Sequence, residues 1–597
     1  MNFKSVWSKH KYFISFLVGM IGIVFVSFKD IILSPNTFVL GNSYDGQKNY
    51  FGYLAYLKNS NESIELLTKV NFPYGESIHY LDIMPVFSVV IKSISKYIID
   101  LYPISLGLMN YFLILNIIIC FIFSYKLFGK ILSNQWLIGL GAIIISMTNP
   151  MLFRINNHFA LSLSSLIMGY FYFLYLLYQA VELGDNKRIF RYLIVIILWI
   201  SLASFFHFYF QALLSCHFGF SILFLFIRNF KKLNLVQKFS LLIAPLLSPI
   251  LSLWILKITD PFYSQRPSQG NGYNWDGYNF KLDALYSVKG TPAESFPFFI
   301  NSNYTFSYES MGYLGGFILY GMIVLIIYSI IHKKMNFSND VYVSNLLLTS
   351  ILMLAISLGH TINISNGAFL TNNWLSAFYW LSNFSESITH FRVLSRFNWL
   401  FFFGVFVWAV YLYDINFKGK WGTICISIIL IIGCIDVFDW SKHLAKSDNN
   451  EYPFTISSEY KSKLNSVEKL NLKGIYYFPF YYVGTSFLDL TLDDYIAVSN
   501  MAFKTTLETG IPTMNLKASR TSTIQTISQL KKLNEFYLHK QLEKDSYLVY
   551  SYNKPVENIN SFWADKHFFG KWNQMIKNMN GEYLFSENDF DIYLVKF

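Results

Sequence analysis

Charged residues are scarce in this chain. Only 14% of its 597 residues are Asp, Glu, Lys or Arg, whereas a soluble domain averages about 25%. The hydrophobic share is 53% and the mean hydropathy is +0.36. A chain of this length with so little polar surface cannot cover a soluble fold, so the composition excludes a soluble globular protein and predicts a membrane protein.

Cysteines are also few. The four of them, Cys120, Cys216, Cys425 and Cys434, all lie inside apolar blocks, which excludes a disulfide framework and a cysteine metal site. The chain also has no P-loop, no G-x-S-x-G elbow, no dinucleotide fingerprint and no H-E-x-x-H zinc motif. Because every loop that we assign to the cytoplasm is short, a reaction driven there by ATP or a sugar nucleotide is excluded as well.

Long apolar blocks dominate what is present. A helix needs roughly 20 residues to cross about 30 Å of hydrocarbon, and the chain contains about eleven blocks of suitable length. The predicted spans are residues 12–33, 106–128, 136–150, 159–182, 190–206, 208–228, 239–257, 312–332, 341–359, 396–413 and 420–438. We therefore predict a polytopic α-helical membrane protein.

The basic residues orient this bundle. They collect in alternate short loops, and one threading places every such loop on the same side. By the positive-inside rule that side is the cytoplasm, with the N-terminus inside and the C-terminal region outside, in a bacterial inner membrane. The net charge of +11 therefore reflects topology, and we expect no nucleic-acid partner.

The outer face carries three long loops, at residues 34–105, 258–311 and 360–395. In the first loop, Ser88, Lys92, Lys96 and Asp100 recur at four-residue steps, which predicts an amphipathic helix lying along the membrane surface. The segment NWLSAFYWL of the third loop is too short to cross and is expected to lie flat.

The hydropathy falls at about residue 441. GIYYFPFYYV, SYLVYSYN and DIYLVKF have the composition of strands, and TIQTISQLKKLNEFYLHKQL that of a helix. We therefore predict two domains, a transmembrane domain over residues 1–440 and a soluble, extracytoplasmic α/β domain over residues 441–597.

Two acids of the first outer loop are candidate catalytic residues. Asp45 lies in GNSYDGQKNYF, soon after the first span, and Asp82 lies in NFPYGESIHYLDIMP, just before the surface helix. A carboxylate that is partly desolvated at a membrane surface suits a general base or a metal ligand. The alternative is a solvated loop acid or a helix cap, since Asp82 and Pro85 could simply begin the next helix.

Arginines on the outer side are candidate phosphate ligands. Arg154 and His158 are four residues apart in NPMLFRINNHFAL, and Arg392 and Arg396 are four apart in HFRVLSRFNW. Basic residues are depleted from short outer loops, and each guanidinium can offer a bidentate fork to phosphate oxygens. The alternatives are anchoring by snorkelling and general attraction to acidic lipids.

Two further outer residues, Arg266 of the second loop and His207 between two abutting spans, complete the candidate donor-binding set. Several outer histidines lie in reach of the acids by topology, so a divalent cation is a conceivable cofactor. However, their spacing matches no dedicated metal motif.

The arrangement as a whole resembles the GT-C superfamily of membrane glycosyltransferases. The shared features are an acid after the first span, a long first outer loop with a surface helix, many spans and an outer C-terminal domain. The blocks FPYGESIHYLDIMPVFSVV, PMLFRINNHFALS, YESMGYLGG and FRVLSRFNWLF are similar to those of YfhO-like bacterial members of that superfamily. The resemblance covers residues 1–440.

The resemblance implies transfer of a sugar from a polyprenyl-phosphate-linked donor to a glycan, lipid or polymer acceptor outside the cytoplasm. Asp45 would then deprotonate the acceptor hydroxyl, with inversion. Three arginines would hold the departing lipid phosphate, and His158 and Glu309 would position the donor or a metal. Those arginines are Arg154, Arg392 and Arg396. Many members pair two adjacent acids in the first loop, whereas Asp45 in YDGQ has no acidic neighbour.

Two other functions stay open from the sequence. A flippase or transporter for lipid-linked glycans would require ionisable or proline-broken positions near the membrane centre. Apart from His217, Pro245 and Pro249, the predicted spans are plainly apolar, which favours the enzyme. A non-catalytic envelope assembly protein, with an outer domain that binds a partner, is the third hypothesis.

Overall fold

A computed structural model shows a mostly helical chain. It describes the residues in the following ranges: 3–41, 43–58, 64–266, 279–287, 291, 308–333, 335–337, 340–359, 362–364, 367–370, 380, 393–447, 450–468, 470, 472–478, 483–484, 495–514, 516–517, 521–522, 524–525, 528–529, 545–552 and 581–596.

The helices, in chain order, are α1 (Phe3–Ser27), α2 (Lys29–Leu33), α3 (Tyr44–Lys58), α4 (Pro85–Tyr97), α5 (Ser105–Ile131), α6 (Gln135–Thr148), α7 (Ser165–Glu182), α8 (Asn186–Ser204), α9 (Phe208–Asn229), α10 (Leu235–Thr259), α11 (Gly316–His332), α12 (Val341–Ser357), α13 (Asn398–Asn416), α14 (Gly419–Ser447), α15 (Ser458–Glu468) and α16 (Tyr495–Thr509). The strands are β1 (Phe38–Val39), β2 (Leu66–Leu67), β3 (Glu76–Ser77), β4 (Ile362–Ile364), β5 (Gly367–Leu370), β6 (Asn450–Glu451), β7 (Leu472–Phe478), β8 (Val483–Gly484), β9 (Leu516–Lys517), β10 (Ser546–Tyr552), β11 (Glu582–Glu587) and β12 (Phe590–Lys596).

The chain divides into two compact units. The first unit comprises residues 1–40, 109–253 and 272–449, and the second comprises residues 41–108, 254–271 and 450–597. The C-terminal region therefore shares a unit with the first outer loop. The boundary at residue 440 that the hydropathy indicates falls within α14 and stays a prediction.

The first unit is the helical bundle, and each of the eleven predicted spans overlaps one of its helices or α10. Among the described residues, six helices are long and apolar enough to cross a membrane, and a seventh span arises if α6 is joined to the short helix Pro150–Asn156, bent by 45°. The helices α11 and α12 are apolar but shorter, with 17 residues each. The protein is thus a polytopic membrane protein, as predicted, while the exact number of crossings stays a prediction.

Polar side chains of this unit cap the first turns of its helices and connect neighbouring helices. Asn134, Asp185 and Asp340 cap α6, α8 and α12 by accepting hydrogen bonds from the first-turn amides, which would otherwise be unsatisfied. Asp436 of α14 accepts from the Phe317 amide at the beginning of α11, at 3.3 Å. Asp414 accepts from the backbone and hydroxyl groups of the loop before α6. These contacts fix where the helices of the first unit begin and which neighbours they contact.

The second unit contains the α/β domain that the sequence predicts. Its four-stranded sheet has the order β11-β12-β10-β7, with β10 parallel to β7 and the other pairs antiparallel. The predicted strand segments form β7, β10 and β12, which confirms a mixed sheet domain. The predicted helix at 523–542 lies mostly outside the described residues, as do most of NWLSAFYWL and the central part of the second outer loop.

The predicted surface helix of the first loop is α4, but its orientation differs from the simple expectation. Ser88 and Lys92 of the polar stripe are buried, and the Lys92 ammonium lies 4.0 Å from the ring centre of Tyr56 in α3. Val90 and Tyr97 are exposed instead. The polar stripe can pack on protein because the Lys92 stem is apolar and its ammonium makes the cation–π contact. Apolar residues on the other side of α4 are left exposed.

Candidate functional site

Three loop segments of the first unit bring four of the predicted site residues together. Arg154 lies in the short helix Pro150–Asn156, which continues from α6 after Pro150 bends the chain. Glu309 lies in the short helix Tyr308–Ser310 before α11, and Arg396 lies in Leu394–Phe397 before α13. His158 lies just after the first of these helices. The signal that located Arg154, His158 and Arg396 was basic residues at the outer ends of spans, whereas Glu309 came from the family resemblance.

Glu309 is the centre of this cluster. Its carboxylate accepts two hydrogen bonds from Arg396, from Nη2 at 2.8 Å and from Nε at 3.2 Å. Nη2 of Arg154 lies 3.2 Å from Oε2 of Glu309, and Nε2 of His158 lies 3.9 Å from Oε1. The guanidinium of Arg396 thus makes the two-pronged contact that a fork geometry favours, and one carboxylate joins two arginines and a histidine.

The cluster is shielded from solvent. The side chains of Arg154, Arg396 and Glu309 are 1%, 6% and 13% exposed. Burial by itself would raise the pKa of Glu309, but the positive charges of Arg396 and Arg154 hold that pKa well below its usual range. Two guanidiniums and one carboxylate leave a net charge of +1, before any charge on His158 is counted. A buried excess of positive charge is suited to an anion.

Aromatic rings support both arginines. The guanidinium of Arg396 lies 4.3 Å from the ring centre of Tyr209, and that of Arg154 lies 5.8 Å from Trp399. The Tyr209 hydroxyl accepts a hydrogen bond from the Val393 amide at 2.8 Å. These rings hold the planar cations in place. Sequence reasoning missed Tyr209 and Trp399, because aromatic residues are too common in the spans to stand out.

His207 has a role in helix geometry. Its Nδ1 accepts a hydrogen bond from the Tyr209 amide at 3.2 Å, which caps α9. His207 therefore lies two residues before Tyr209, whose ring contacts Arg396, and helps to fix the position of that ring. His207 thus adjoins the arginine cluster through Tyr209.

Asn398 is a second residue that sequence reasoning missed. It is fully buried at the first position of α13, two residues after Arg396. Within the described part of the chain, neither atom of its amide has a hydrogen-bond partner. A Cβ added to Gly312, three residues after Glu309, would collide with this amide. Gly312 therefore leaves the space that Asn398 occupies, and no sequence motif marks that pair.

The two candidate catalytic acids lie in the second unit. Asp45 is in the first turn of α3, where its carboxylate accepts from the Lys48 ammonium at 2.8 Å and remains 41% exposed. Asp82 accepts from the Asn49 amide at 3.4 Å. Asn49 is one turn from Asp45, so the two acids flank the same end of α3. Asp82 is not a helix cap, since Met84 holds that position before Pro85.

Arg266 belongs to a different cluster of the second unit. Its guanidinium donates to Asp260, from Nε at 2.9 Å, and lies 2.7 Å from Oε1 of Glu76. It also lies 4.1 Å from the ring centre of Tyr80. Burial would lower the pKa of Arg266, but the carboxylates of Glu76 and Asp260 raise it above its usual value. Two buried acids around one cation leave a net negative charge, which suits a structural clamp and opposes phosphate binding at Arg266.

Two further predictions for the site concern Arg392 and a metal ion. Arg392 lies outside the described residues. Among the residues that are described, no group of three or more His, Cys, Asp or Glu side chains could hold a metal ion. The suggestion of a divalent cation therefore gains no support from the geometry of this part of the chain.

Solved structures align with this chain over most of its length. The arabinofuranosyltransferase AftD from mycobacteria aligns with 98% of the chain at a TM-score of 0.53 and 10% identity, and the chain spans 40% of AftD. The oligosaccharyltransferase AglB from Archaeoglobus fulgidus, in complex with an inhibitory peptide and a dolichol-phosphate, aligns with 91% of the chain, which covers 70% of AglB, at 0.46 and 12% identity. ArnT from Cupriavidus metallidurans, bound to undecaprenyl phosphate, aligns over 98% of both chains at 0.39 and 10% identity. No curated protein sequence matches this chain.

The fold is of the GT-C type, as the sequence predicted. The chain belongs to the family described as Domain of unknown function (DUF6311), whose model matches residues 16–439. The matched region includes the whole Arg154–Glu309–Arg396 cluster. The narrower resemblance to YfhO-like proteins stays a prediction.

Replacing Glu309 with Gln should destabilise the protein. The change leaves two buried guanidiniums without their carboxylate, which costs about 3–5 kcal/mol in comparable buried pairs. Because the pKa of Glu309 is lowered in the folded state, this stabilisation is present above the unfolded-state pKa of about 4.3 and is lost as the pH falls further.

Thermal unfolding of the detergent-solubilised protein at pH 7 and below pH 4 measures this effect. The difference between wild type and Glu309→Gln should be large at pH 7 and shrink in acid. Asp185→Asn is the control, because Asp185 pairs with the exposed Arg188 and should change stability by less than about 1 kcal/mol. An equal loss in both variants would contradict a special role for Glu309.

Proposed function

We propose that this protein transfers a sugar from a polyprenyl-phosphate-linked donor to an extracytoplasmic glycan, lipid or polymer. The observation that carries the proposal is the buried cluster of Arg154, Glu309 and Arg396, with its net positive charge, in a GT-C fold. The leaving group of such a reaction is a lipid phosphate, so a cationic site beside the membrane is the main chemical requirement.

The electrostatics of the cluster support this role. As the bond between sugar and phosphate breaks, negative charge grows on the phosphate oxygens. Arg154 and Arg396 are fixed by Glu309 and by aromatic rings before the donor arrives, so little reorganisation is required in the transition state. Preorganised charge of this kind is usually the largest single contribution to catalysis.

Glu309 acts as a positioning residue in this proposal. Its carboxylate contacts both guanidiniums from one side and sets the direction in which they face. His158, near Oε1 of the same carboxylate, is placed to contact the donor phosphate or its sugar. Glu309 also reduces the charge of the pair to +1, which lets two arginines be buried together and still attract an anion.

The second chemical step is removal of a proton from the acceptor hydroxyl. Asp45 is the candidate general base, with inversion at the sugar carbon, and Asp82 is the nearby second acid. The salt bridge from Lys48 orients the Asp45 carboxylate, which stays accessible to an acceptor.

The alternatives have weaker support. A flippase would need polar groups that open a path through the membrane, whereas the fully buried His217 is hydrogen-bonded to Tyr170 at 3.0 Å and Thr349 at 3.1 Å. A hydrogen-bonded histidine of this kind joins helices. A non-catalytic assembly protein would not require a buried, preorganised arginine pair.

Loss of the Arg396 side chain should weaken donor binding. Arg396→Ala removes charge-assisted hydrogen bonds worth about 1.5–3 kcal/mol, which corresponds to roughly 10- to 150-fold in dissociation constant. The dissociation constant for undecaprenyl phosphate, measured with purified protein in detergent, reports this loss. Lys461→Ala, at an exposed pair with Glu508 in the second unit, is the control.

A folding defect must be separated from a binding defect. The double variant Arg396→Gln with Glu309→Gln removes both charges of the pair and leaves the net charge unchanged. It should therefore fold better than the single variant Arg396→Ala. If this variant folds and binds undecaprenyl phosphate as tightly as wild type, the arginine cluster is not the phosphate site.

Replacing Asp45 with Asn should abolish most of the turnover. A positioned general base contributes typically 10²–10⁴-fold in rate, so release of the sugar from a polyprenyl-phosphate donor should slow by that order while donor affinity stays the same. Asp100→Asn is the control, because Asp100 is an exposed acid of the same loop. Undiminished turnover in Asp45→Asn would remove Asp45 from the base role.

The proposed orientation places the chemistry outside the cytoplasm, in the inner membrane of a bacterium. In a background without the four native cysteines, a membrane-impermeant maleimide applied to intact spheroplasts should label Glu459→Cys and should not label Asn186→Cys. Both positions are exposed, so accessibility to the reagent depends on the side of the membrane. The reverse labelling pattern would place the C-terminal domain in the cytoplasm.

A further inference from the structure

The ends of three neighbouring helices in the first unit carry a dense basic surface. We define it as the basic end of α8–α10. It comprises seven cations: Lys187, Arg188 and Arg191 on α8, Arg228 at the end of α9, Lys231 and Lys232 in the following loop, and Lys238 at the beginning of α10. Two acids lie nearby in the chain, Glu182 at the end of α7 and Asp185 in the loop before α8, and six of the seven cations are exposed.

Hydrogen bonds between α8 and α10 show that the basic first turns of these two helices lie side by side. Gln237 donates to the Asn186 side chain at 2.5 Å, which joins the first turns of α8 and α10. At the other end of the same helices, Ser204 donates to Ser252 at 3.0 Å. The two contacts are roughly 25 Å apart along the axes, so α8 and α10 run parallel and their basic first turns are adjacent.

Exposed apolar side chains flank the basic end. Phe190, Ile227, Phe230, Leu235, Val236 and Phe239 are between 38% and 69% exposed. The Lys238 ammonium lies 3.9 Å from the ring centre of Phe230, which draws its stem along an apolar surface. Cations immediately beside exposed apolar side chains match the two parts of a phospholipid, a charged head group and acyl chains.

We infer that the basic end of α8–α10 is a binding site for an anionic phospholipid whose head group carries two phosphates. The cations form two sets, one on α8 and one on the α9–α10 loop and α10, so two phosphates can each contact several donors. A single phosphate would neutralise only one set. This site is separate from the arginine cluster of the proposed reaction and does not depend on that reaction.

A second basic surface on the first unit provides the comparison. Lys130 lies in the last turn of α5, and Lys418 and Lys420 flank the first residue of α14; Asp414 joins the end of α13 to the α5–α6 loop through its bonds to Ser133. This surface has fewer cations, and a buried carboxylate lies at its centre. Its lysines are exposed, so variants at these positions measure the general attraction of acidic lipid to a basic surface.

Native mass spectrometry of the purified full chain, titrated with cardiolipin, measures the proposed binding. Lys231→Gln, Lys232→Gln and Lys238→Gln together should weaken cardiolipin affinity by roughly a hundredfold, at about fivefold for each lost charge near the surface. The triple variant Lys187→Gln, Arg188→Gln and Arg191→Gln should have a similar effect. The control triple variant Lys130→Gln, Lys418→Gln and Lys420→Gln should bind nearly as wild type.

Three results would overturn the inference. Equal losses in the site and control variants would mean that the lipid is attracted to the face in general. Undiminished binding in both folded site variants would exclude the basic end as the site. Equal affinity for cardiolipin and phosphatidylglycerol, which has one phosphate, would exclude a two-phosphate head group. Phosphatidylcholine should not bind measurably, and circular dichroism checks the helical content of each variant.

Discussion

The contact of one carboxylate with two guanidiniums is the constraint on which the functional part of this structure depends. Glu309 holds Arg154 and Arg396 from two other loop segments in a nearly dry site. Two arginines without an anion would repel each other and would be costly to bury. The glutamate makes the pair possible and leaves one positive charge over, which an anionic leaving group can use.

The loops that carry these residues are positioned by polar groups within the bundle. Asp436 accepts a hydrogen bond from the first turn of α11, which begins seven residues after Glu309. His207 accepts a hydrogen bond from the Tyr209 amide, and the Tyr209 ring supports Arg396. Polar groups at helix ends within a membrane protein must be satisfied internally, because lipid offers no hydrogen bonds. The same contacts that satisfy the helix ends therefore fix the geometry of the arginine cluster.

The second unit uses the opposite arrangement of charges. Around Arg266, two carboxylates surround one cation, and the Thr521 hydroxyl donates to Glu76 in the same cluster. This clamp joins the first loop, the segment after α10 and the C-terminal region. Burial lowers the pKa of the adjacent His79 to about 4, and its Nε2 contacts Thr259 at 2.9 Å. Arginines that look alike in the sequence are thus surrounded by different net charges, and composition could not reveal this difference.

The sequence by itself determined the membrane class, the positions of the long bundle helices and three strands of the C-terminal sheet, because hydropathy and period two or 3.6 are local properties. It also selected Arg154, His158 and Arg396, since basic residues at the outer ends of spans are unusual, while Glu309 came from the family resemblance. It could not show that Ser88 and Lys92 are buried, because the side of α4 that contacts protein depends on α3.

Only the tertiary structure decided which charges meet. Glu309 is 155 residues from Arg154 and 87 from Arg396 in the chain, and no local pattern specifies that the three share one site. The supporting rings of Tyr209 and Trp399, and the close approach of Gly312 to Asn398, likewise come from helix packing. Pairing energies between distant residues depend on burial and distance, and both quantities exist only once the chain has folded.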